Sequence, residues 1–415
     1  LSKQQTSFDK AGIAAWFAAY SDDMHRDPYP FYRYLLEQEP VLHLEERWTW
    51  IVSRFEDVSR VLKDPLFVRE YRNAVPENQE MPSVSAEWKP VDGMLNNWML
   101  FRDAPAHTRL RGLVSHAFTP RTMERLKPVI QEIADFLADG MAEQSRPDLI
   151  ASYAFTLPVI VIADLLGVPS EDRALFRNWS HAFAKVLEGV DQSPQYVEQT
   201  IRATNEISAY FKDLIAQRRT SPREDMISDL LAAQEEQSDV LTEQEMIATC
   251  VLLLVAGHET TVNLIGNAVR LLLSEPGELA RLSERPKLAA TAVEEALRYE
   301  SPVQMTGRIA SADVEIGGRT IRRGQFVQVM LGAANRDAAQ FAEPDRFDIA
   351  RQPNRHLAFA TGAHFCLGAP LARLEGEIAL RTLASRFPNM RLTDDKPDWQ
   401  PNILFRGHRT LPVLL

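Results

Sequence analysis

From Pro120 to about Arg285, apolar residues recur at spacings of three and four, which predicts a run of amphipathic helices. The longest opens at Thr242-Glu243-Gln244-Glu245, a capping-box spacing with Thr242 as N-cap and Glu245 three residues on. Its apolar pattern runs to about Leu273, and Pro276 follows. Roughly thirty residues at ~1.5 Å each predict a helix of about 45 Å, enough to cross a domain. Ahead of this region the period changes. Residues 41–44 and 48–52 flank Glu45-Glu46-Arg47 and read as a hairpin, and 55–62 as a short helix. Residues 70–98, rich in Pro, Asn and Glu, read as a long, loosely structured loop, of a length that is usually functional or disordered. Past the helices, Val314-Glu315-Ile316 and Arg319-Thr320-Ile321 flank Gly317-Gly318, a two-residue hairpin signal, and 325–330 continue the β pattern. The expected fold is mainly α with a small β-rich lobe. Its β portions are about 38–62 and 303–330, and its helical core about 103–300. No repeat, linker or clean boundary divides the chain, so residues 1–415 are expected to form one domain.

Composition narrows the function classes. The 415 residues are 45% hydrophobic and 25% charged, an ordinary globular balance with ample core. A net charge of −11 and a pI near 5.4 argue against nucleic acid or an anionic membrane as partners. Two cysteines, Cys250 and Cys366, make no disulfide framework and suit a reducing cytoplasm. The stretches 157–168 and 246–257 are too short to span a membrane, and Leu1-Ser2-Lys3-Gln4-Gln5 has no signal-peptide apolar region.

The candidate chemistry centres on Cys366, in Phe359-Ala360-Thr361-Gly362-Ala363-His364-Phe365-Cys366-Leu367-Gly368. A helix-like stretch follows at 369–375, so its N-terminal dipole and the loop N–H groups favour a thiolate. Gly362 and Gly368 allow close approach of a flat ligand and positive φ. A thiolate is also an axial ligand for heme iron. The alternative is a small buried hydrophobe. A loop of this pattern arises by chance in roughly one in a thousand chains of this length.

The long helix breaks its own pattern at Ala256-Gly257-His258-Glu259-Thr260-Thr261. Glycine there costs about 1 kcal/mol relative to alanine. Such violations gather at functional sites. Thr260 can hydrogen-bond a bound oxygen ligand or water, Glu259 can relay protons, and Gly257 leaves room for a ligand. The alternative is a kinked helix with a surface glutamate. Glu295 and Arg298 form an i,i+3 pair, common on surfaces. His107 and Arg111 share a helix face that can grip a carboxylate or phosphate, with Asp103 as expected N-cap. Arg308 and His356 are further cationic candidates; each alone reads better as solvated surface charge.

Together these motifs resemble the cytochrome P-450 superfamily, the heme-thiolate monooxygenases. The resemblance runs over nearly the whole chain, through the loop 359–368, Ala256 to Thr261, Glu295 with Arg298, Asn335-Arg336-Asp337 and Phe341 to Phe347. It implies a triangular helical prism with a small β-rich lobe. It implies heme b with Cys366 as metal ligand and Phe359, Gly362, Gly368, Ala256 and Gly257 around it. By resemblance, His107, Arg111, Arg308 and His356 hold the heme propionates, Thr260 and Glu259 are the acid–alcohol pair, and Glu295, Arg298 and Arg346 form a buried network. Leu253, Ala256, Val303, Met305 and Ile403, with loop 74–98 and Phe405, are expected to line the substrate pocket. The family has Gly where Ala360 stands, and Ala is expected to be accommodated at negative φ.

Within the superfamily the chain is similar to soluble bacterial hydroxylases of macrolides and fatty acids, and to the biotin-pathway fatty-acid oxidase. The implied reaction inserts one atom of O2 into a C–H bond of an apolar small molecule. No flavin or iron–sulfur domain follows the loop, so electrons are expected from NAD(P)H through a ferredoxin and its reductase, in a monomeric cytoplasmic enzyme. The rival readings are a peroxide-driven peroxygenase and a non-catalytic heme sensor or carrier.

Overall fold

The computed structural model describes residues 22–76, 79, 84–188, 193–236, 241–393 and 398–415. The β-rich lobe is built on a five-stranded sheet. Its strands are β1 (Val41–Leu44), β2 (Thr49–Val52), β3 (Phe67–Val68), β4 (Met305–Ala310) and, beyond the hairpin β5 (Val314–Ile316) and β6 (Arg319–Ile321), β7 (Phe326–Met330), in the order β1-β2-β7-β4-β3. β1 and β2 pair as the expected hairpin, while β2 and β7 run parallel, with Trp50 opposite Val327. The Gly317-Gly318 turn has φ of +53° and +74°, a pair of left-handed positions that favours glycine. One face of the sheet buries Val41, Val52, Val327 and Val329 at 4% exposure or less. Two short pairs lie near the C-terminus, β8 (Arg391–Leu392) with β11 (Val413–Leu414), and β9 (Asp398–Trp399) with β10 (His408–Thr410).

The rest is helical. The helices that matter for the site are α1 (Ala106–Ser115), α2 (Pro120–Ala142), α3 (Thr156–Leu166), α4 (Glu243–Ser274), α5 (Ala289–Tyr299) and α6 (Ala369–Arg386). The capping box that starts α4 is present, with the Thr242 hydroxyl accepting from the Glu245 amide and the Glu245 carboxylate from the Thr242 amide. α4 has 32 residues and is apolar enough to cross a membrane by composition, yet 72% of its most apolar window is buried inside this protein. Its apolarity therefore belongs to the core, where α3, α5 and α6 pack against it.

Two expectations change here. The stretch 70–98 contains a helix, Lys89–Asn96, whose Val91 and Met94 are buried. Its short apolar face was obscured by the Pro- and Asn-rich flanks; residues 77, 78 and 80–83 lie outside the described residues. Asp103 does not cap α1 through its side chain. Its carboxylate accepts instead from the Arg69 and Glu70 amides, both at 2.9 Å, and from the Asn73 side chain.

Glu295 and Arg298 are fully buried and form a bidentate pair, both bonds 2.8 Å. Arg351 donates to Glu295 at 2.9 Å, the Asp348 amide at 3.0 Å and Asn354 at 3.1 Å, while Arg298 donates to the carbonyls of Asn335, Pro344 and Arg346. The expected base, Arg346, contributes only that carbonyl. Its side chain is 62% exposed and pairs with Glu343, because the turn after it carries Arg351 inward in its place. The network pins the segment that leads into the Cys366 loop. Glu295→Ala, which strands two buried guanidinium groups, is expected to cost about 3–5 kcal/mol of stability. Arg346→Ala is expected to stay within about 0.5 kcal/mol. Denaturant titration of both variants compares them.

Candidate active site

A cavity of about 650 Å³ opens between α4, β4 and the Phe359–Gly368 loop. The loop closes on itself, with the Cys366 amide donating to the Phe359 carbonyl at 3.0 Å and the Phe365 amide to the Gly362 carbonyl at 3.1 Å. Gly362 does not line the cavity. It has φ +76°, and a Cβ there would lie 2.5 Å from the Leu62 carbonyl oxygen, so glycine lets the loop press against the helix Phe55–Lys63. Ala360 has φ +55°, contrary to the expected negative value. Left-handed alanine costs about 1–2 kcal/mol, and the loop hydrogen bonds and the packing of Ala360 against the β-lobe core hold it there.

Cys366 faces the cavity just before α6. Burial pushes its thiol up, and the Gly368 amide, Arg111, the Ala369 amide and Arg373 pull the other way. These opposing groups are the thiolate-stabilising set that a helix N-terminus offers.

One edge of the cavity is cationic. His107 and Arg111 come from one face of α1 and Arg308 from β4, and all three line the cavity. Arg111 donates to the Phe365 carbonyl at 2.7 Å, tying α1 to the loop. Sequence reasoning missed two members of this edge. His364 packs against His107 with ring centroids 4.2 Å apart, and Arg69 lines the cavity beside Arg308. His364 sits two residues before Cys366, which was the available signal; nothing local marked Arg69. Burial and then its cationic neighbours push His364 down to about 2. Burial and Arg308 bring Arg69 to about 9, and burial brings Arg308 to about 10. Among the described residues, Arg69, Arg111 and Arg308 have no carboxylate within ion-pair distance. Grouped cations of this kind, without an acidic partner, fit an anionic ligand group.

His356 is not part of this edge. It lies outside the cavity, its Nε2 3.2 Å from Glu294, which also takes two bonds from Arg373. Burial works to raise Glu294, but the His356 and Arg373 bonds hold it down at about 2. His356 therefore braces the loop from behind.

The opposite wall comes from α4. Leu253, Ala256, Gly257, Glu259 and Thr260 all line the cavity, as do Val303, Met305, Phe359, Gly368 and Ile403. The Thr260 hydroxyl donates to the Ala256 carbonyl at 2.9 Å, which leaves its lone pairs for the cavity. Gly257 serves helix packing as well as ligand space, since a Cβ there would meet Ile162 of α3 at 3.0 Å. Burial pushes Glu259 up to about 7, against a hydrogen bond with Gln400, and His258 Nε2 is 3.6 Å from it. From the stretch 74–98, Trp98 reaches the cavity. The polar set thus joins a thiol, a cationic edge and an acid–hydroxyl pair around one apolar space.

Residues 37–406 match the Cytochrome P450 family model. The chain belongs to the cytochrome P450 family. It is 43% identical to the biotin biosynthesis cytochrome P450 of Bacillus subtilis (strain 168), over 95% of this chain and 97% of the relative. It is 41% identical to the vitamin D(3) 25-hydroxylase of Pseudonocardia autotrophica, over 95% and 96%. The crystal structure of P450BioI with hexadec-9Z-enoic acid ligated acyl carrier protein superposes with a TM-score of 0.87 at 42% identity, covering 96% of this chain and 100% of that one. The protein is therefore an oxidoreductase of a family that uses heme, O2 and an electron donor. The thiol and the unpaired cations are donors of the type a heme iron and its propionates need, so the residues fit that group.

Two expected outcomes follow from the site. Glu259 titrates near 7 when folded and near 4.5 when unfolded, so its protonated form stabilises the fold at low pH. Between those values stability falls as pH rises, by up to about 3 kcal/mol relative to Glu259→Gln. Denaturant unfolding of both proteins across that window measures it. Ala360→Gly is expected to stabilise the protein by about 1 kcal/mol by relieving the left-handed alanine, read by the same titration at one pH.

Proposed function

We propose that this P450 is a monooxygenase that places one oxygen atom of O2 into a C–H bond of an apolar small molecule. Its electrons come from an external ferredoxin and NAD(P)H-dependent reductase. The observation that carries the reading is the Glu259–Thr260 pair on the wall of the cavity into which Cys366 faces. Heme b, when bound, would supply oxygen activation, favoured by a thiolate ligand. Cys366 would hold the iron through Sγ, and His107, Arg111, Arg308 and His364 would hold the propionates. Thr260 orients a water in the cavity through its lone pairs, because its proton is committed to Ala256. Glu259, poised near neutrality, accepts and returns a proton there. Leu253, Val303, Met305 and Ile403 exclude water and favour an apolar substrate. A neighbouring structure that holds a hexadec-9Z-enoic acid ligated acyl carrier protein and a relative named for vitamin D(3) support a fatty acyl or steroid-like substrate. A cytoplasmic location goes with this reading, since the site needs Cys366 reduced.

A peroxide-driven enzyme or a heme carrier would need neither Glu259 nor Thr260 as a proton relay. Thr260→Ala is expected to cut product formed per NAD(P)H by about tenfold and release the difference as peroxide. Coupling equal to wild type would remove the role given to Thr260 and favour the rivals.

A further inference from the structure

α4 carries a polar stripe that starts at Glu259 on the cavity wall and continues through residues that do not line the cavity. Glu259, Asn263, Asn267 and Arg270 follow at spacings of four, four and three, so they share one helix face. Between them Val262, Leu264, Ile265, Ala268 and Val269 are buried and apolar, which makes the stripe a deliberate departure. It runs against the C-terminal segment 399–408. Gln400 hydrogen-bonds Glu259, and its amide donates to the Gly407 carbonyl at 2.9 Å. Gly407 presses on the stripe so closely that a Cβ would lie 1.8 Å from Asn263 Oδ1. The next residue, His408, is 1% exposed and stacks on Trp399 at 3.9 Å between centroids.

Along this seam the hydrogen-bond inventory is incomplete. Both ring nitrogens of His408, both amide atoms of Asn263 and the Oδ1 of Asn267 have no partner among the described residues. The Asn267 Nδ2 is satisfied by the carbonyls of Glu300 and Arg406, so that side chain is fixed with its oxygen left over. Buried polar atoms that the protein does not pair are normally met by ordered water. The stripe ends at Arg270, half-buried, its guanidinium 5.7 Å from the Trp399 ring centroid. Eleven residues of helix separate it from Glu259, about 16 Å at ~1.5 Å per residue.

We propose that Asn263, Asn267 and His408 hold a file of buried waters that joins the Glu259 carboxylate to solvent near Arg270 and returns a proton to it. The inference rests on the proton-delivering role given to Glu259 above. The step is a proton shift alone. A water at the Arg270 end takes a proton from bulk solvent, each water in the file passes one on, and the Glu259 carboxylate oxygen receives the last. His408 serves the file as a neutral imidazole with one N–H and one lone pair, held neutral by burial and then by Arg270 and Arg406. The charged groups facing the seam are Arg270, Arg406 and Glu300, and Glu300 offsets the two guanidinium groups.

A high-resolution crystal structure of the heme-loaded protein is the first arm of the test. Ordered waters within hydrogen-bond distance of Asn263, His408 and Asn267 are expected; a dry seam with these atoms paired to protein would overturn the file. The second arm uses His408→Phe, which keeps the stack on Trp399, and Asn263→Leu. Each is expected to raise the solvent deuterium isotope effect on product formation about twofold and peroxide release several-fold. The reduced carbon monoxide spectrum and substrate-induced spin shift should not move. Unchanged isotope effect and coupling in both variants would overturn the proposal. If neither variant folds, the water positions in the unaltered protein decide. Thr260→Ala separates the two failures. If it uncouples while both seam variants stay coupled, only the file is wrong; if it too stays coupled, the functional reading fails.

Discussion

Two adjacent carboxylates on α5 hold the cysteine loop from both sides, and the site depends on them. Glu294 takes His356, ten residues before Cys366, and Arg373, seven residues after it, in one cluster. Glu295 takes Arg298 and Arg351 and through them pins the carbonyls of 342–346. A loop rich in glycine has little stiffness of its own, and a left-handed alanine adds cost. It can present Cys366 in one orientation only because charge-assisted bonds clamp its two arms. The Glu295–Arg298 half of the clamp is fully buried, so both its partners must be present.

The second requirement is that opposite chemical needs share one space. A thiol, a cationic edge and a glutamate pushed up to about 7 all border an apolar cavity. They do not neutralise one another because they come from different elements: the loop before α6, α1 with β4, and α4. Arg111 is the exception that links two of them, donating to the Phe365 carbonyl and lowering the Cys366 thiol. The cost of the polar residues in α4 is met by its remaining face, which packs on α3, α5 and α6.

Local signals were legible in the sequence where the physics is local. The Thr242 capping box, the Gly317-Gly318 hairpin and the β1–β2 pair stand where their spacing predicts them. The family also stood in the motifs, because Cys366, Thr260 and Glu295 each sit in a distinctive short pattern. Choices among similar side chains were not legible. His356 and His364 both stand near Cys366, and only the path of the loop turns one toward the cavity and the other toward Glu294. Arg346 and Arg351 likewise differ by which side of one turn they leave. The left-handed Ala360 is fixed by tertiary clamping against its own preference. The helix Lys89–Asn96 is too short for its period to stand out from its flanks. The two C-terminal strand pairs are two or three residues each, below what alternation can reveal.

Every role proposed for this site requires Cys366 as a thiolate ligand. The most direct test is the difference spectrum of dithionite-reduced, heme-loaded protein with and without carbon monoxide. A strongly red-shifted Soret band is the predicted result. A band at the position typical of a histidine ligand, in folded protein, would contradict it.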